Sequence, residues 1–215
     1  MYGGIADAEA AMAALETALE VEEAFLDQST LLAAFLDYSK FFDILPWELL
    51  WPLALHWGAP WQIINAMKAF YIQLTSAFKI GNHFGPEWRR VNSIAQGCPL
   101  SIMWANMVGA LWAKVLSLEV PDVRKNVFVD DKSLRTNSRM AFERAFVINE
   151  KFDKICGQNL NWKKVFGFAC RGDDQNWMRN WSLQHNRINE VKSVVTLGHQ
   201  ISVSSSPMGK REGTE

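Results

Sequence analysis

No arginine or lysine precedes Lys40, so the opening residues do not have the basic start and apolar stretch of a signal peptide. Cysteine is scarce: Cys98, Cys156 and Cys170 are odd in number and form no C-x-x-C pair, which argues against a zinc knuckle or a dithiol redox motif. A reducing, intracellular compartment, nuclear or cytoplasmic, is the simplest expectation. The four histidines, His56, His83, His185 and His199, include no i, i+4 pair, so any metal would have to sit on carboxylates. There is no glycine-rich phosphate loop and no G-x-S-x-G elbow. The longest apolar tract, residues 102–118, is broken by Asn106 and Lys114; it reads as a buried helix, and no membrane partner is expected.

What is present is a globular composition. The 215 residues are 49% hydrophobic and 21% charged, with ten Trp and thirteen Phe to fill a core. The net charge of −1 conceals an asymmetry. Residues 1–60 carry ten acids against Lys40 alone, so the remainder carries the excess of base. Clustered base behind an acidic front keeps a nucleic-acid partner open.

Hydrophobic spacing outlines the elements. Residues 5–26 set Met12, Leu15, Leu19 and Leu26 near a 3.6-residue period among Ala and Glu, which predicts an amphipathic helix. Residues 30–36 (TLLAAFL) form an apolar run that stops at Asp37, the pattern of a strand buried on both faces. Helices are predicted from Pro46 to Trp57, with Pro52 as a kink, and from Pro60 to about Ala77. Residues 78–95 read as a hairpin, and a helix runs from Pro99 to about Leu118. A second hairpin joins VFV (127–129) to KSLRT (132–136), with Asp130 and Asp131 at its tip. Ser138 can cap the next helix and Gly157 can end it. Strand candidates return at 161–169 and 188–203, before a polar tail. These elements predict an α+β domain.

The chemistry lies in the carboxylates. Asp37 closes one apolar strand, and Asp130-Asp131 sit at the turn of another. If the strands are neighbours, the acids meet at one sheet edge, where shared oxygen ligands could hold two divalent cations for phosphoryl transfer on nucleotides. An Asp-Asp turn alone is also ordinary turn chemistry.

The order of short motifs around those acids resembles the reverse transcriptases, most nearly those of non-LTR (LINE-like) retrotransposons and their group II intron relatives. LDYSKFFD (36–43) is similar to the first palm motif, LDLSKAFD. AQGCPLS (95–101) is similar to the second, FVDD (128–131) matches the third, GQNLNWKK (157–164) resembles the fourth, and TLGHQI (196–201) the fifth. The resemblance implies a right-hand polymerase palm: an antiparallel sheet covered on one face by helices, with partial fingers and no thumb. It divides the chain into a partial fingers helix (1–30), a palm with inserted fingers elements (31–203) and a disordered tail (204–215).

It also implies RNA-directed DNA polymerisation, with RNA template, DNA primer and dNTP as partners. Two Mg²⁺ ions, for which Mn²⁺ can substitute, would sit on Asp37, Asp130 and Asp131, and the backbone carbonyl of Tyr38 could contribute. Phe42 falls where the family excludes a ribose 2′-hydroxyl, although core packing explains it too. Gln96 and Gly97 fall where the family contacts nucleotide and template. Lys164, with Lys163 beside it, matches the lysine that neutralises departing pyrophosphate. Leu197-Gly198 would belong to a primer-gripping hairpin, and Arg89 and Arg90 are candidate phosphate contacts or simply a solvated face.

Several positions depart from the pattern: Phe41 stands for Ala, Cys98 for Ser, Ile102 for Pro, and Lys132 for an apolar residue. A lysine at 132 could pair with Asp131, lowering its pKa while competing with a metal for its oxygens. The family's triphosphate-gripping basic residues upstream have no counterpart. The alternatives are a catalytically inactive palm remnant that binds RNA or protein, and an RNA-templated RNA polymerase palm. In the latter the acidic pair usually follows Gly, whereas here Val129 precedes it.

Overall fold

The computed structural model describes residues 10–95, 97–98, 100–185, 188–191, 193–196 and 199–202. In chain order the elements are α1 (Ala10–Leu26), β1 (Leu32–Leu36), α2 (Phe41–Ile44), α3 (Trp47–His56), α4 (Trp61–Gln73), β2 (Thr75–Ser76), β3 (Lys79–Ile80), β4 (His83–Phe84) and β5 (Trp88–Arg89). There follow α5 (Ser101–Glu119), β6 (Arg124–Phe128), β7 (Asp131–Thr136), α6 (Arg139–Cys156), β8 (Phe166–Ala169), α7 (Gly172–His185), β9 (Asn189–Glu190), β10 (Ser193–Thr196) and β11 (His199–Ser202).

The main sheet has the order β6-β7-β1-β8-β9. β1 lies at its centre because every residue of LAAFL is buried, which requires cover on both faces. It pairs antiparallel with β7 and with β8, whereas β8 and β9 are parallel. The sheet is therefore mixed, a correction to the antiparallel expectation.

Alternation along β1 divides the core in two. Leu32, Ala34 and Leu36 join the large cluster built with Trp104, Val108 and Trp112 of α5 and Phe142, Phe146 and Phe152 of α6. Ala33 and Phe35 face the other way, into a smaller cluster with Val21 and Ala24 of α1, Phe168 and Ile201. Helical cover is thus not confined to one face, as the sequence had led us to expect.

α1 also turns its expected face around. Met12, Leu15, Leu19 and Leu26 are exposed, while Ala13, Ala14, Thr17, Val21 and Ala24 are buried. Small side chains let the helix lie close to β7, where buried Arg135 meets Glu20 at 2.8 Å.

α5 is long and apolar enough to cross a membrane by length and composition; here Trp104, Ala105, Val108, Trp112 and Leu116 bury one side of it against the sheet. α6 behaves as its sequence dictates: Ser138 Oγ accepts from the Ala141 N–H, and Gly157 closes the helix at φ 65°. Residues 161–164 are not strand but the turn that enters β8. α7 lies in a stretch where no helix was expected. Its buried Asp174 receives Arg139 at 2.6 Å and the Thr30 hydroxyl at 2.9 Å, and Met178 and Trp181 bury its inner side. The expected tail, residues 204–215, lies outside the described residues.

Candidate active site

Register brings the acids together. β1 and β7 pair with Leu36 opposite Lys132, and continuing that ladder by one residue sets Asp37 opposite Asp131. The doublet is divided between two environments. Phe128 pairs with Asp131, leaving Val129 and Asp130 as the two-residue turn, with Val129 at φ 58°. A β-branched residue there is strained, since the left-handed region suits Gly or Asn.

Two backbone bonds add the fourth motif to this edge. The Ser39 N–H donates to the Asn159 carbonyl and the Asn161 N–H to the Asp37 carbonyl, at 2.9 and 2.8 Å. Tyr38 and Leu160 form a bridge between those bonds. The chain then turns, with the Lys164 N–H on the Asn161 carbonyl, and Lys164 Nζ comes to 3.7 Å from Asp37 Oδ1.

The side chains open into a cavity of about 360 Å³ beneath α1. Strand alternation puts Phe35, Asn126, Phe128, Asp131 and Ser133 on this one face; Ala13 and Thr17 of α1 form the opposite wall, and Asp37, Lys164 and Phe166 complete the lining. Phe35 and Phe166, both in the lining, stack on one another with centroids 5.0 Å apart. Burial pushes the Asp131 carboxyl up to about 6, the charges of Asp130 and Asp37 push the same way, and Lys164 opposes them.

Lys132 corrects the expectation made for it. It points away from Asp131, into the α5–α6 side of the sheet, and is 2% exposed. Its ammonium lies 4.1 Å from the Tyr38 ring centroid, 5.3 Å from that of Trp112, 5.5 Å from Phe152 and 5.7 Å from Phe41. Gln158 Oε1 accepts from it at 3.2 Å. Beside it, Asn149 Oδ1 accepts from the Tyr38 hydroxyl and from Trp112 Nε1, while Asn149 Nδ2 donates to Asp153 at 2.7 Å. Burial lowers the pKa of Lys132 and raises that of Asp153, and mutual attraction opposes both shifts. Asp131 consequently sits above the carboxylate range, not below it. This polar layer under the acid turn was missed in the sequence; a lysine inside an otherwise apolar alternation was its one visible sign.

The remaining predicted residues are placed as follows. The Tyr38 side chain is buried in that layer, which leaves only its backbone for a ligand. Phe42 is half-buried, with its ring edge-on to Phe41 at 5.4 Å, and its carbonyl accepts from the Ile94 N–H at 2.7 Å. That bond ties α2 to the segment leading into Gly97, which is exposed at φ 88°. Arg90 is held by Asp43 and Ser93. Gln96 and the Leu197-Gly198 pair lie outside the described residues.

The donor chemistry suits a hard divalent cation, because carboxylate oxygens meet at one edge and Asp131 is held above its usual pKa by burial and by the charges of the other two. Among the described residues, however, no set of three or more His, Cys, Asp or Glu side chains is arranged to hold a metal ion.

No protein family and no curated protein matches the chain by sequence. Solved structures do match it. The apo telomerase of Candida tropicalis truncated from its C-terminal domain superposes with a TM-score of 0.62 at 14% identity, over 87% of this chain and 38% of that one. The fold is similar to that of telomerase, distantly and in part. Telomerase from Candida albicans in complex with a fragment of telomeric RNA gives 0.62 at 12% identity over 89% and 32%, and apo telomerase from Candida tropicalis gives 0.61 at 13% over 89% and 35%. The chain thus spans about a third of the length of these telomerases. At such identities the likeness is one of fold: an α+β arrangement with a mixed sheet partly covered by helices.

Proposed function

We propose that this chain is the palm of an RNA-directed DNA polymerase, of the non-LTR retrotransposon type, which extends a DNA primer on an RNA template with dNTPs. The observation that carries the reading is the meeting of Asp37, Asp131 and Lys164 at one sheet edge from three separate stretches of sequence. The telomerase-like fold supports it, since those telomerases share the surrounding architecture.

Asp37, Asp130 and Asp131 would hold divalent cations, Mg²⁺ or Mn²⁺, which supply positive charge to a phosphoryl group under attack. The chain's own residues do the rest. Lys164, exposed and close to Asp37, would neutralise charge leaving with pyrophosphate. The stacked pair of Phe35 and Phe166 gives the cavity an apolar portion of its wall. Phe42, whose carbonyl is bonded to the Ile94 N–H, would test the sugar, and Gln96 and Gly97 would meet nucleotide and template, as the resemblance implies.

A second reading is a palm that binds RNA or protein without turnover. It draws on the ion pair between Lys164 and Asp37, which places a cation on one of the acids a metal would need. Primer extension on an RNA template with Mg²⁺ or Mn²⁺ separates the two. Incorporation that Asp131→Asn abolishes supports the first; equal incorporation by the variant overturns it. RNA binding with no incorporation in either cation favours the second.

A further inference from the structure

The two ribbons between α4 and α5 display large apolar side chains instead of hiding them. Phe78, Ile80 and Phe84 are 70–80% exposed, and Phe78 packs on Trp88 with centroids 4.7 Å apart. β3 and β4 pair with one another in a sheet of their own, folded over at Gly81, whose φ of 59° the turn requires. Lys79 lies directly opposite Phe84 in that ladder, its ammonium 5.6 Å from the ring centroid. Cation and ring therefore share one face.

The charge here is predominantly positive. Residues 61–91 carry Lys68, Lys79, Arg89 and Arg90 against the single acid Glu87, in contrast to the acidic first sixty residues. The ribbon is also anchored. Arg90 donates to Ser76 at 2.8 Å, to Ser93 at 2.9 Å and to Asp43 of α2 at 3.3 Å. A ligand on the ribbon is thereby fixed relative to the element that follows Asp37.

Exposed flat rings interleaved with cations match one chemistry above others, a single strand of nucleic acid. Its bases offer faces for stacking and its phosphates meet the cations. A duplex hides those faces. We propose that the β3–β4 ribbon, with Trp88 and Arg89 at its base, binds single-stranded nucleic acid at a site separate from the acid edge. The inference rests on the nucleic-acid reading above for its biological direction, and its test fails independently of that reading.

The test uses the full chain and a short fluorescent single-stranded RNA, read by anisotropy across a salt series. Phe84→Ala is expected to weaken binding about tenfold, and Lys79→Ala to flatten the slope of log affinity against log salt by about 0.7. Both side chains are exposed, so thermal unfolding should not move and serves as the control for folding. The same RNA annealed into a duplex should bind more weakly than the single strand. Unchanged affinity in both variants overturns the inference, as does equal binding of duplex. Self-association that Phe84→Ala abolishes while RNA affinity stays constant would assign the ribbon to a second copy of the chain instead. Primer extension plays no part in these readings, so an inactive acid edge leaves the ribbon's assignment standing.

Discussion

Strand β7 carries two buried cations on opposite faces, and they are held in different ways. Arg135, on the α1 face, donates through Nε to Glu20 at 2.8 Å and through Nη1 to the Thr17 hydroxyl at 2.8 Å, with Glu16 at 3.7 Å. Lys132, on the α6 face, has an amide acceptor and four ring faces around it, with Asp153 close enough to pull on its charge. A planar guanidinium is well matched by carboxylates and weakly hydrated, so its burial is compensated. An ammonium is strongly hydrated, and rings replace only part of that hydration. The α1 face therefore holds its cation by directed bonds, and the α6 face encloses one that burial works to discharge.

Breaking the better-held side should cost most. Arg135→Met takes from Glu20, itself only 16% exposed, its closer cation and leaves it Arg124 alone at 3.5 Å, and the loss of one half of a buried pair costs about 3 kcal/mol. Urea unfolding measures this directly. The double variant with Glu20→Gln should recover part of the loss, because no carboxylate that has lost its buried partner then remains. Additive losses in the two single variants would show that the two side chains do not act as a pair.

Lys132→Met should cost less, about 1 kcal/mol. Methionine retains much of the stem's packing and removes the desolvated ammonium, and Asp153, already pushed upward by burial, can take up a proton once its cation is gone. A loss equal to that of Arg135→Met would erase the distinction between the two faces.

Much of this was visible in the chain itself, in proportion to how local the physics is. β1 announced itself because a strand buried on both faces reads as an unbroken apolar run. Ser138 and Gly157 marked the ends of α6 because caps are single-residue chemistry. The meeting of Asp37 with Asp131 could be wagered on but not read, since strand register is a property of the folded pair. α7 was missed because its burial rests on few apolar positions in a polar segment, with Asp174 tied to Arg139 and Thr30, distant in sequence. α1 was read with the wrong face inward: periodicity weighs side chains by hydrophobicity, whereas close approach to Arg135 selected the small ones. The direction of Lys132 was misjudged for a related reason. Adjacency in sequence suggested pairing with Asp131, but consecutive strand residues point to opposite faces.

The smallest effect sharpens the comparison further, because it sets the α1-side acid edge against the enclosed lysine behind it. Asp131 holds its proton up to about 6 in the folded chain, against about 4 when unfolded. Between those values the folded state binds more protons, so Asp131's contribution to stability is complete below pH 4 and is lost as pH rises through 6. Asp131→Asn cannot ionise and should lose this dependence, gaining stability relative to the parent chain toward neutral pH. A divalent cation bound at Asp37 and Asp131 would reverse the parent's loss, because it replaces the proton as the neutralising charge. Added Mg²⁺ should then raise the thermal midpoint of the parent more at pH 8 than at pH 5, and raise that of Asp131→Asn less at either. Equal responses of the two proteins at pH 8 would mean that the cation acts elsewhere and that the crowded acids are relieved by Lys164 alone.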